Sequence, residues 1–365
     1  MYLKINKETL VTALQKIQGP TTTKQNFPIL NGIKFLSTNN RLKLTTTDLD
    51  TTLITTLEAD IIKEGDFVVP MKRLFPIIKE LPPQELEIEK IKNNLSIKCG
   101  KIEFKINTLN SQEFPQVQEP EGVSLIKLDS QVIEEMIKLT SFCVGVEDVN
   151  YVLNGILFEI EKNTIKLIST DGKRLAFVEK SLPQAQPEVS AKVSFILPIR
   201  AINEIFRLVK DSISELFLSV EANRIGFDLK DTQIFTRPIE GEFPDYTQYI
   251  PAEGKDRLVI DRKTLFSALK RASLLSTPDY QGIKLEVKRG AVVVEKNTPQ
   301  MGEVKEEMEA EYKGTSLEIG FNPNYLMDVL RSVDDDLVSF DFFGPDKPAV
   351  FRKQGYVYLL LPIKL

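Results

Sequence analysis

Residues Leu258–Ala272 read L-V-I-D-R-K-T-L-F-S-A-L-K-R-A. Three apolar residues suited to a strand (Leu258, Val259, Ile260) run into Asp261, a good helix N-cap, and an amphipathic segment follows. Its apolar positions Leu265, Ala268, Leu269 and Ala272 recur at steps of three and four, which is one helix face. The chain carries this unit three times. Near the start stands I-N-K-E-T-L-V-T-A-L, with Asn6 as cap and Leu10, Ala13 and Leu14 on the face. In the middle stands L-D-S-Q-V-I-E-E-M-I, with Asp129 as cap and Ile133, Met136 and Ile137 on the face. The copies begin at Ile5, Leu128 and Ile260, steps of 123 and 132 residues. A period that long means consecutive homologous domains and not a solenoid of small units.

A second helix also matches across the repeats. V-V-P-M-K-R-L-F-P-I-I-K from Val68, I-L-P-I-R-A-I-N-E-I-F-R from Ile196 and G-F-N-P-N-Y-L-M-D-V-L-R from Gly320 each pass from a short strand into a helical pattern. Proline at 70, 198 or 323 sits where a helix begins and its missing N–H does no harm. Pro76 conflicts with a helix interior, so this helix either starts near Arg73 or is bent. The remainder reads as strand: Ile33–Phe35, Leu42–Thr46, Leu86–Ile88, Leu95–Cys99 and Ile102–Ile106, then hairpins at Ile156–Ile160 with Ile165–Ser169 and Lys284–Val287 with Val292–Glu295, then Tyr356–Leu361. The expected fold is α+β, three tandem homologous domains, each with two helices on one face of antiparallel strands. Their expected spans are 1–120, 125–250 and 257–365, with turn-rich boundaries in Glu119–Ser124 and Pro251–Arg257.

Composition narrows the function. The 365 residues are 42% hydrophobic and 27% charged, as in a globular protein. No apolar run approaches the roughly 18 residues that span a membrane, and Met1–Asn6 alternates like a strand and unlike a signal peptide. Cys99 and Cys143 fall in different repeats, so no disulfide is expected and a reducing cytoplasm is the predicted setting. Histidine is absent, which removes the commonest general base and metal ligand, and two cysteines do not make a structural zinc site. The reading calls for no metal, no cofactor and no enzyme. The alternative, carboxylate chemistry on Asp48 and Asp50 of T-D-L-D or on Asp334–Asp336, lacks any paired base or nucleophile.

The net charge of −5 argues, as an average, against nucleic acid. Its distribution argues the other way. The helical segments 7–17, 70–81, 130–140, 198–211, 261–272 and 322–333 hold 14 basic and 8 acidic residues, a surplus of +6 that leaves −11 for the remainder. Lysines that merely keep helices soluble are the bland explanation. A basic helical face directed at a polyanion, with an acidic exterior, is the functional one. No helix-turn-helix, zinc-finger or aromatic RNA-binding motif is present to read bases.

Six motifs fall in register with the triplication: Gly19-Pro20, F-P-I-L (Phe27–Leu30), T-D-G-K-R-L-A (Thr170–Ala176), G-E-F-P-D-Y (Gly241–Tyr246), G-F-N-P-N-Y-L-M-D-V-L (Gly320–Leu330) and the terminal L-P-I-K-L. Together they resemble, over the whole chain, the bacterial sliding clamps, the β subunits of replicative DNA polymerase. The resemblance implies a head-to-tail homodimeric ring of six domains, whose twelve helices line a hole threaded by double-stranded DNA. Such a ring tethers a polymerase without gripping any sequence. The implied DNA-facing residues are Lys24, Arg73, Tyr151 and Arg200, with Val152 where the family often has an aromatic. The implied dimer contact joins edge strands of domains one and three, at Phe104 and Ile106 against Leu274 and Leu275.

A cleft between domains two and three is implied as well, taking short linear peptides from the polymerase, the clamp loader and other partners. It maps to Leu153, Thr170, Gly172, Lys173, Arg174, Leu175, Pro244, Asn322, Tyr325, Pro348, Leu360, Leu361, Pro362, Ile363, Lys364 and Leu365. On this reading Leu153, Leu175, Pro244, Leu360 and Leu361 form apolar pockets for Leu and Phe anchors, and Arg174 and Asn322 orient the peptide. Lys173 stands where many members have histidine, and Gln248 and Tyr249 replace a basic–aliphatic pair on the rim.

Overall fold

The computed structural model describes residues 1–22, 27–117, 125–145, 150–182, 192–210, 215–254 and 256–364. The first repeat runs β1 (Tyr2–Asn6), α1 (Lys7–Ile17), β2 (Gly32–Thr38), β3 (Arg41–Thr47), β4 (Thr51–Glu58), β5 (Asp60–Lys63), β6 (Gly65–Pro70), α2 (Met71–Glu80), β7 (Glu85–Ile91), β8 (Asn94–Cys99) and β9 (Ile102–Asn107). The second runs β10 (Leu125–Asp129), α3 (Ser130–Thr140), β11 (Gly155–Glu161), β12 (Thr164–Thr170), β13 (Arg174–Ser181), β14 (Val193–Pro198), α4 (Ile199–Val209), β15 (Glu215–Glu221), β16 (Arg224–Leu229) and β17 (Thr232–Thr236). The third runs β18 (Asp256–Asp261), α5 (Arg262–Ser273), β19 (Ile283–Lys288), β20 (Ala291–Thr298), β21 (Gly302–Glu309), β22 (Glu311–Tyr312), β23 (Leu317–Phe321), α6 (Pro323–Ser332), β24 (Leu337–Phe342), β25 (Ala349–Lys353) and β26 (Tyr356–Leu360).

The helix starts follow the capping chemistry. Asn6 Oδ1 accepts from Glu8 N at 2.9 Å, Asp129 Oδ1 from Gln131 N at 2.8 Å and Asp261 Oδ1 from Thr264 N at 2.7 Å. The expected faces are buried in all three helices, with Leu10, Leu14, Ile133, Met136 and Leu269 fully enclosed. Helix α2 starts at Met71 and keeps Pro76 inside it. The ring removes one N–H, the donor to the Lys72 carbonyl, while Met71, Leu74 and Ile78 still bury their face. Of the expected boundaries, Glu119–Ser124 lies outside the described residues, and Pro251–Gly254 forms no regular element ahead of β18.

Two devices recur with the repeat. Thr46 Oγ1 donates to Ile17 O at 2.5 Å, Ser169 Oγ to Thr140 O at 2.6 Å and Thr298 Oγ1 to Leu275 O at 2.6 Å. Each hydroxyl satisfies a carbonyl freed at or just past the end of the first helix. After the last strand of each repeat the chain also returns to bridge the strand before the second helix. Leu109 N donates to Val68 O, Ile239 N to Ile196 O and Ile363 N to Gly320 O, at 2.8, 2.8 and 2.9 Å. The terminal L-P-I-K-L is thus a piece of the repeating fold.

The described residues form two compact units. The first is built on an antiparallel sheet of order β5-β1-β7-β8-β9 and one of order β10-β15-β16-β17-β4-β3-β2-β6. The second is built on β14-β11-β12-β13-β26-β25-β24-β18-β22 and β21-β20-β19-β23. In each long sheet, strands of two consecutive repeats join by one rule. The last strand of the later repeat pairs with the third strand after the first helix of the earlier one: β17 with β4, as Ile234 opposite Leu53, and β26 with β13, as Tyr358 opposite Ala176.

Removing a buried donor leaves its acceptor unsatisfied and costs about 1–3 kcal/mol. Ser169→Ala, at a site fully shielded from solvent, is therefore expected to lower the urea midpoint of the second unit by that equivalent. An unchanged denaturation curve would show that Thr140 O finds another donor.

Candidate functional site

The T-D-G-K-R-L-A stretch forms the turn between β12 and β13. Asp171 Oδ1 accepts from both Lys173 N and Arg174 N at 3.0 Å, and Thr170 Oγ1 donates to Arg174 O at 2.6 Å. Gly172 takes φ +80° with nothing within 4 Å of a would-be Cβ, so the backbone, and not the space, calls for glycine.

Arg174 is 9% exposed. Its Nε donates to Asp171 Oδ2 at 2.9 Å, Nη1 to Asp328 Oδ2 at 2.7 Å and Nη2 to Phe142 O at 2.5 Å. The guanidinium lies 4.1 Å from the Tyr325 ring centroid and 5.6 Å from that of Phe142. The arginine therefore pins the turn to α6 and to the segment after α3. Asn322 is equally committed: its Oδ1 caps α6 by accepting from Asn324 N at 3.0 Å, and its Nδ2 donates to Gln281 Oε1 at 3.4 Å. Both side chains, expected to orient a peptide, have polar groups engaged with their own chain.

Apolar residues gather beside this turn. Leu153, Leu175, Val152, Ile168, Ile196, Val350 and Leu359 form one buried cluster with Tyr246, and Phe177, Phe243 and Ile250 pack against it half-buried. Tyr246 Oη donates to Glu159 Oε2 at 2.8 Å; burial and that carboxylate push its phenol well above the usual tyrosine range. Lys192 lies 2.7 Å from the same carboxylate. Tyr246 and Phe243 escaped the sequence reading, although the quoted G-E-F-P-D-Y contains both. Pro244, beside Phe243 in the chain, is exposed and Pro348 is half-buried, both outside the cluster itself. Leu360 is buried opposite Arg174 in the β13–β26 ladder. Leu361 N donates to Lys173 O at 2.9 Å, so the tail runs alongside the turn, with Leu361 and Ile363 about two-fifths exposed. Pro362 is half-buried and Lys364 exposed, and Leu365 lies outside the described residues.

The other expected residues are placed as follows. Lys24 lies outside the described residues; Arg73 on α2, Arg200 on α4 and Tyr151 are exposed. Several helix cations are spoken for: Lys16 pairs with Asp231, Lys138 with Asp334, Arg207 with Glu204, Arg271 with Glu306 and Arg331 with Asp328. Arg262 donates to the Asp335 and Leu330 carbonyls, and among the described residues the helix cations with neither a carboxylate nor a carbonyl partner are Lys72, Arg73, Lys79, Arg200, Lys263 and Lys270, all exposed. Phe104 is exposed and Ile106 half-buried on β9, a sheet edge. Leu274 and Leu275 are not on a strand, which corrects that expectation. Leu274 is the C-cap of α5 in αR conformation, and both N–H groups bond back to the helix. The edge strand beside them is β21, tied to α5 by the Arg271–Glu306 pair.

Three repeats of two helices and antiparallel strands, with strands of consecutive repeats paired in one sheet, define a protein of the sliding-clamp class. Residues 1–118, 127–245 and 247–363 match in order the N-terminal, central and C-terminal domains of the DNA polymerase III beta subunit. The beta sliding clamp of Pseudomonas putida is 32% identical over 371 residues, covering 100% of both chains. The crystal structure of the DNA polymerase III subunit beta from Pseudomonas aeruginosa superposes with TM-score 0.94 at 30% identity, over 100% of both chains. That of the Bacillus subtilis DNA polymerase sliding clamp gives 0.94 at 25% identity, over 100% of this chain and 99% of the other. The chain belongs to the beta sliding clamp family, the beta subunits of DNA polymerase III.

Arg174→Met leaves Asp171 without its counter-charge and Asp328 with Arg331 alone. The expected cost is about 3 kcal/mol, discounted from full burial because both acids keep some solvent access. It should appear as a lower melting temperature. Arg174→Lys should recover little of it, since one ammonium does not span three acceptors.

Proposed function

We propose that this chain acts as a DNA polymerase processivity factor: two copies close into a ring around duplex DNA, slide without sequence preference and hold the replicative polymerase and other peptide-bearing partners. The observation that carries the reading is the strand-joining rule. Two of its three instances are made within the chain, and β9 and β21 are the strands left open. Phe104, the third residue of β9, holds the position of Ile234 and Tyr358 in the two joined strands; Ile106 holds that of Thr236 and Leu360. Pairing β9 with the β21 of a second copy supplies the missing junction twice and closes the assembly head to tail. Leu274 and Leu275, beside β21, add apolar area to that contact.

Each chain comprises clamp domains at 1–120, 125–250 and 257–365. The peptide site is the cluster around Leu153, Leu175 and Tyr246 together with the tail from Leu360, a groove that suits Leu and Phe anchors. Double-stranded DNA meets Arg73, Arg200, Tyr151 and Lys24, together with the free lysines of the helices. No catalytic role is assigned. Asp48 caps its own turn by accepting from Asp50 N and Thr51 N, and Asp334 and Asp335 are paired with Lys138 and Lys353. No helix among the described residues is long and apolar enough to cross a membrane, and the chain works in the cytoplasm with the replication machinery.

Topology makes the reading testable. After loading by a clamp loader, the protein should stay on nicked circular DNA through gel filtration and run off once the circle is linearised. Leu274→Asp with Leu275→Asp should sediment as a monomer and lose that retention, because a buried leucine contributes about 1.5–3 kcal/mol to an interface. A dimeric double mutant would refute the proposed contact.

Reversing Arg73 and Arg200 to Glu should weaken DNA association, and the defect should widen as salt is lowered, since screening then falls and the wild type gains most. Filter binding across a salt series measures this. Affinity that follows base sequence and ignores salt would remove the helices from the DNA face.

A further inference from the structure

A lysine stands where the pattern of its strand calls for an apolar side chain. On β20, Val292, Val294, Lys296 and Thr298 alternate along one face, and all four are buried, Lys296 to 4% exposure. Among the described residues no carboxylate lies within ion-pair distance of its ammonium, and burial lowers its pKa. The ammonium instead donates to two backbone carbonyls, Tyr280 O at 2.5 Å and Gly282 O at 2.6 Å. Both belong to the 274–282 connection between α5 and β19.

That connection needs a tether. Pro278, Asp279, Tyr280 and Gln281 are exposed, and Tyr280–Gly282 border a cavity of about 910 Å³ shared with Lys296 and Ile363. Apolar packing therefore does little to hold it, and β20 reaches it through side chains: Thr298 at Leu275 O, and Lys296 at the two carbonyls. The segment Lys296 holds touches the peptide site twice. Gln281 Oε1 accepts from Asn322 Nδ2. Gly282 lies so close to the tail that a Cβ there would stand 2.3 Å from Ile363 Cδ1.

We infer that Lys296 is a positioning residue for partner-peptide binding. By clamping Tyr280 and Gly282 it fixes the floor on which Ile363 rests, and thereby the tail that runs beside the Lys173 turn. This rests on the peptide-site reading above. The lysine touches no peptide; it acts through Gly282 and Ile363.

The experiment is calorimetric titration of the full chain with a Gln-Leu-Ser-Leu-Phe peptide, with amide hydrogen exchange on the same samples. Leu175→Ser is the control for the site: wild-type affinity in that variant would refute the site itself. Given loss there, Lys296→Met should raise the peptide Kd about fivefold and speed exchange at Ile363 and Tyr280, while β13 amides keep their protection. Lys296→Arg, which retains charge and donors, should recover part of the affinity. Gly282→Ala provides a second route, displacing Ile363 with the lysine intact, and should weaken the peptide similarly. Unchanged affinity in folded Lys296→Met overturns the inference. If Lys296→Met fails to fold, unchanged affinity in Gly282→Ala overturns it.

Discussion

Unpaired strand edges are the constraint on which this molecule depends. An edge strand exposes a row of N–H and C=O groups that bind water, or another strand, and a long bare edge invites the wrong one. Here the last strand of the second repeat pairs with β4 of the first, and the last strand of the third pairs with β13 of the second. Each junction is a backbone ladder of five residue pairs, so continuity between repeats is not left to side-chain docking alone. Among the described residues, the same arrangement leaves β9 and β21 each with a neighbouring strand on one side only. Assembly between copies then reuses chemistry the chain has already used within itself.

A fold repeated three times need not carry its site three times, and the turn between β3 and β4 indicates why. Thr47-Asp48-Leu49-Asp50-Thr51 stands where the second repeat has Thr170-Asp171-Gly172-Lys173-Arg174, and Asp48 caps it as Asp171 does. The positions of Arg174 and Leu175 are Thr51 and Thr52. Their hydroxyls are already paired, Thr52 with Thr47 at 2.8 Å and Thr51 with the distant Thr236 at 3.4 Å. Threonines paired with threonines offer a peptide's Leu or Phe little apolar area. Leu49, exposed, takes φ +81°, a region glycine enters without strain. The backbone device is shared, and the apolar side chain that follows it in the second repeat, Leu175, is not.

Much of this was legible in the sequence where the cause is local. Caps at Asn6, Asp129 and Asp261, the apolar helix faces and the β2–β3, β11–β12 and β19–β20 hairpins depend on neighbours a few residues away. What the pattern missed depends on distant residues. The Thr-rich β4 reads as neither buried nor amphipathic, because its hydroxyls pair across a strand some 180 residues later. Leu274 and Leu275 look like strand residues, yet the helix ahead of them extends its hydrogen bonding into both. No local pattern sets Arg174 on Asp328, which lies in another repeat, or beside the Tyr325 ring. The tail residue Ile363 is intermediate: its place by the site followed from the family motif, whereas its bridge to Gly320 becomes evident only beside those of Leu109 and Ile239.

Charge separation completes the physical argument. A chain of net charge −5 approaches DNA only through a local surplus, and counting helix cations overstates it, because many are bound to carboxylates or carbonyls. Arg207, for instance, donates to Gln15 O and to Glu204 and is fixed in place. Among the described residues, Lys72, Arg73, Lys79, Arg200, Lys263 and Lys270 have no such anchor. A cation locked by its own protein meets phosphate at one geometry, which favours a single register on the duplex. Long, unanchored side chains follow whichever phosphate is nearest, and each such contact is weak and screened by salt. When closure and not affinity keeps the protein on DNA, weak and adaptable contacts suffice, and they leave the assembly free to move.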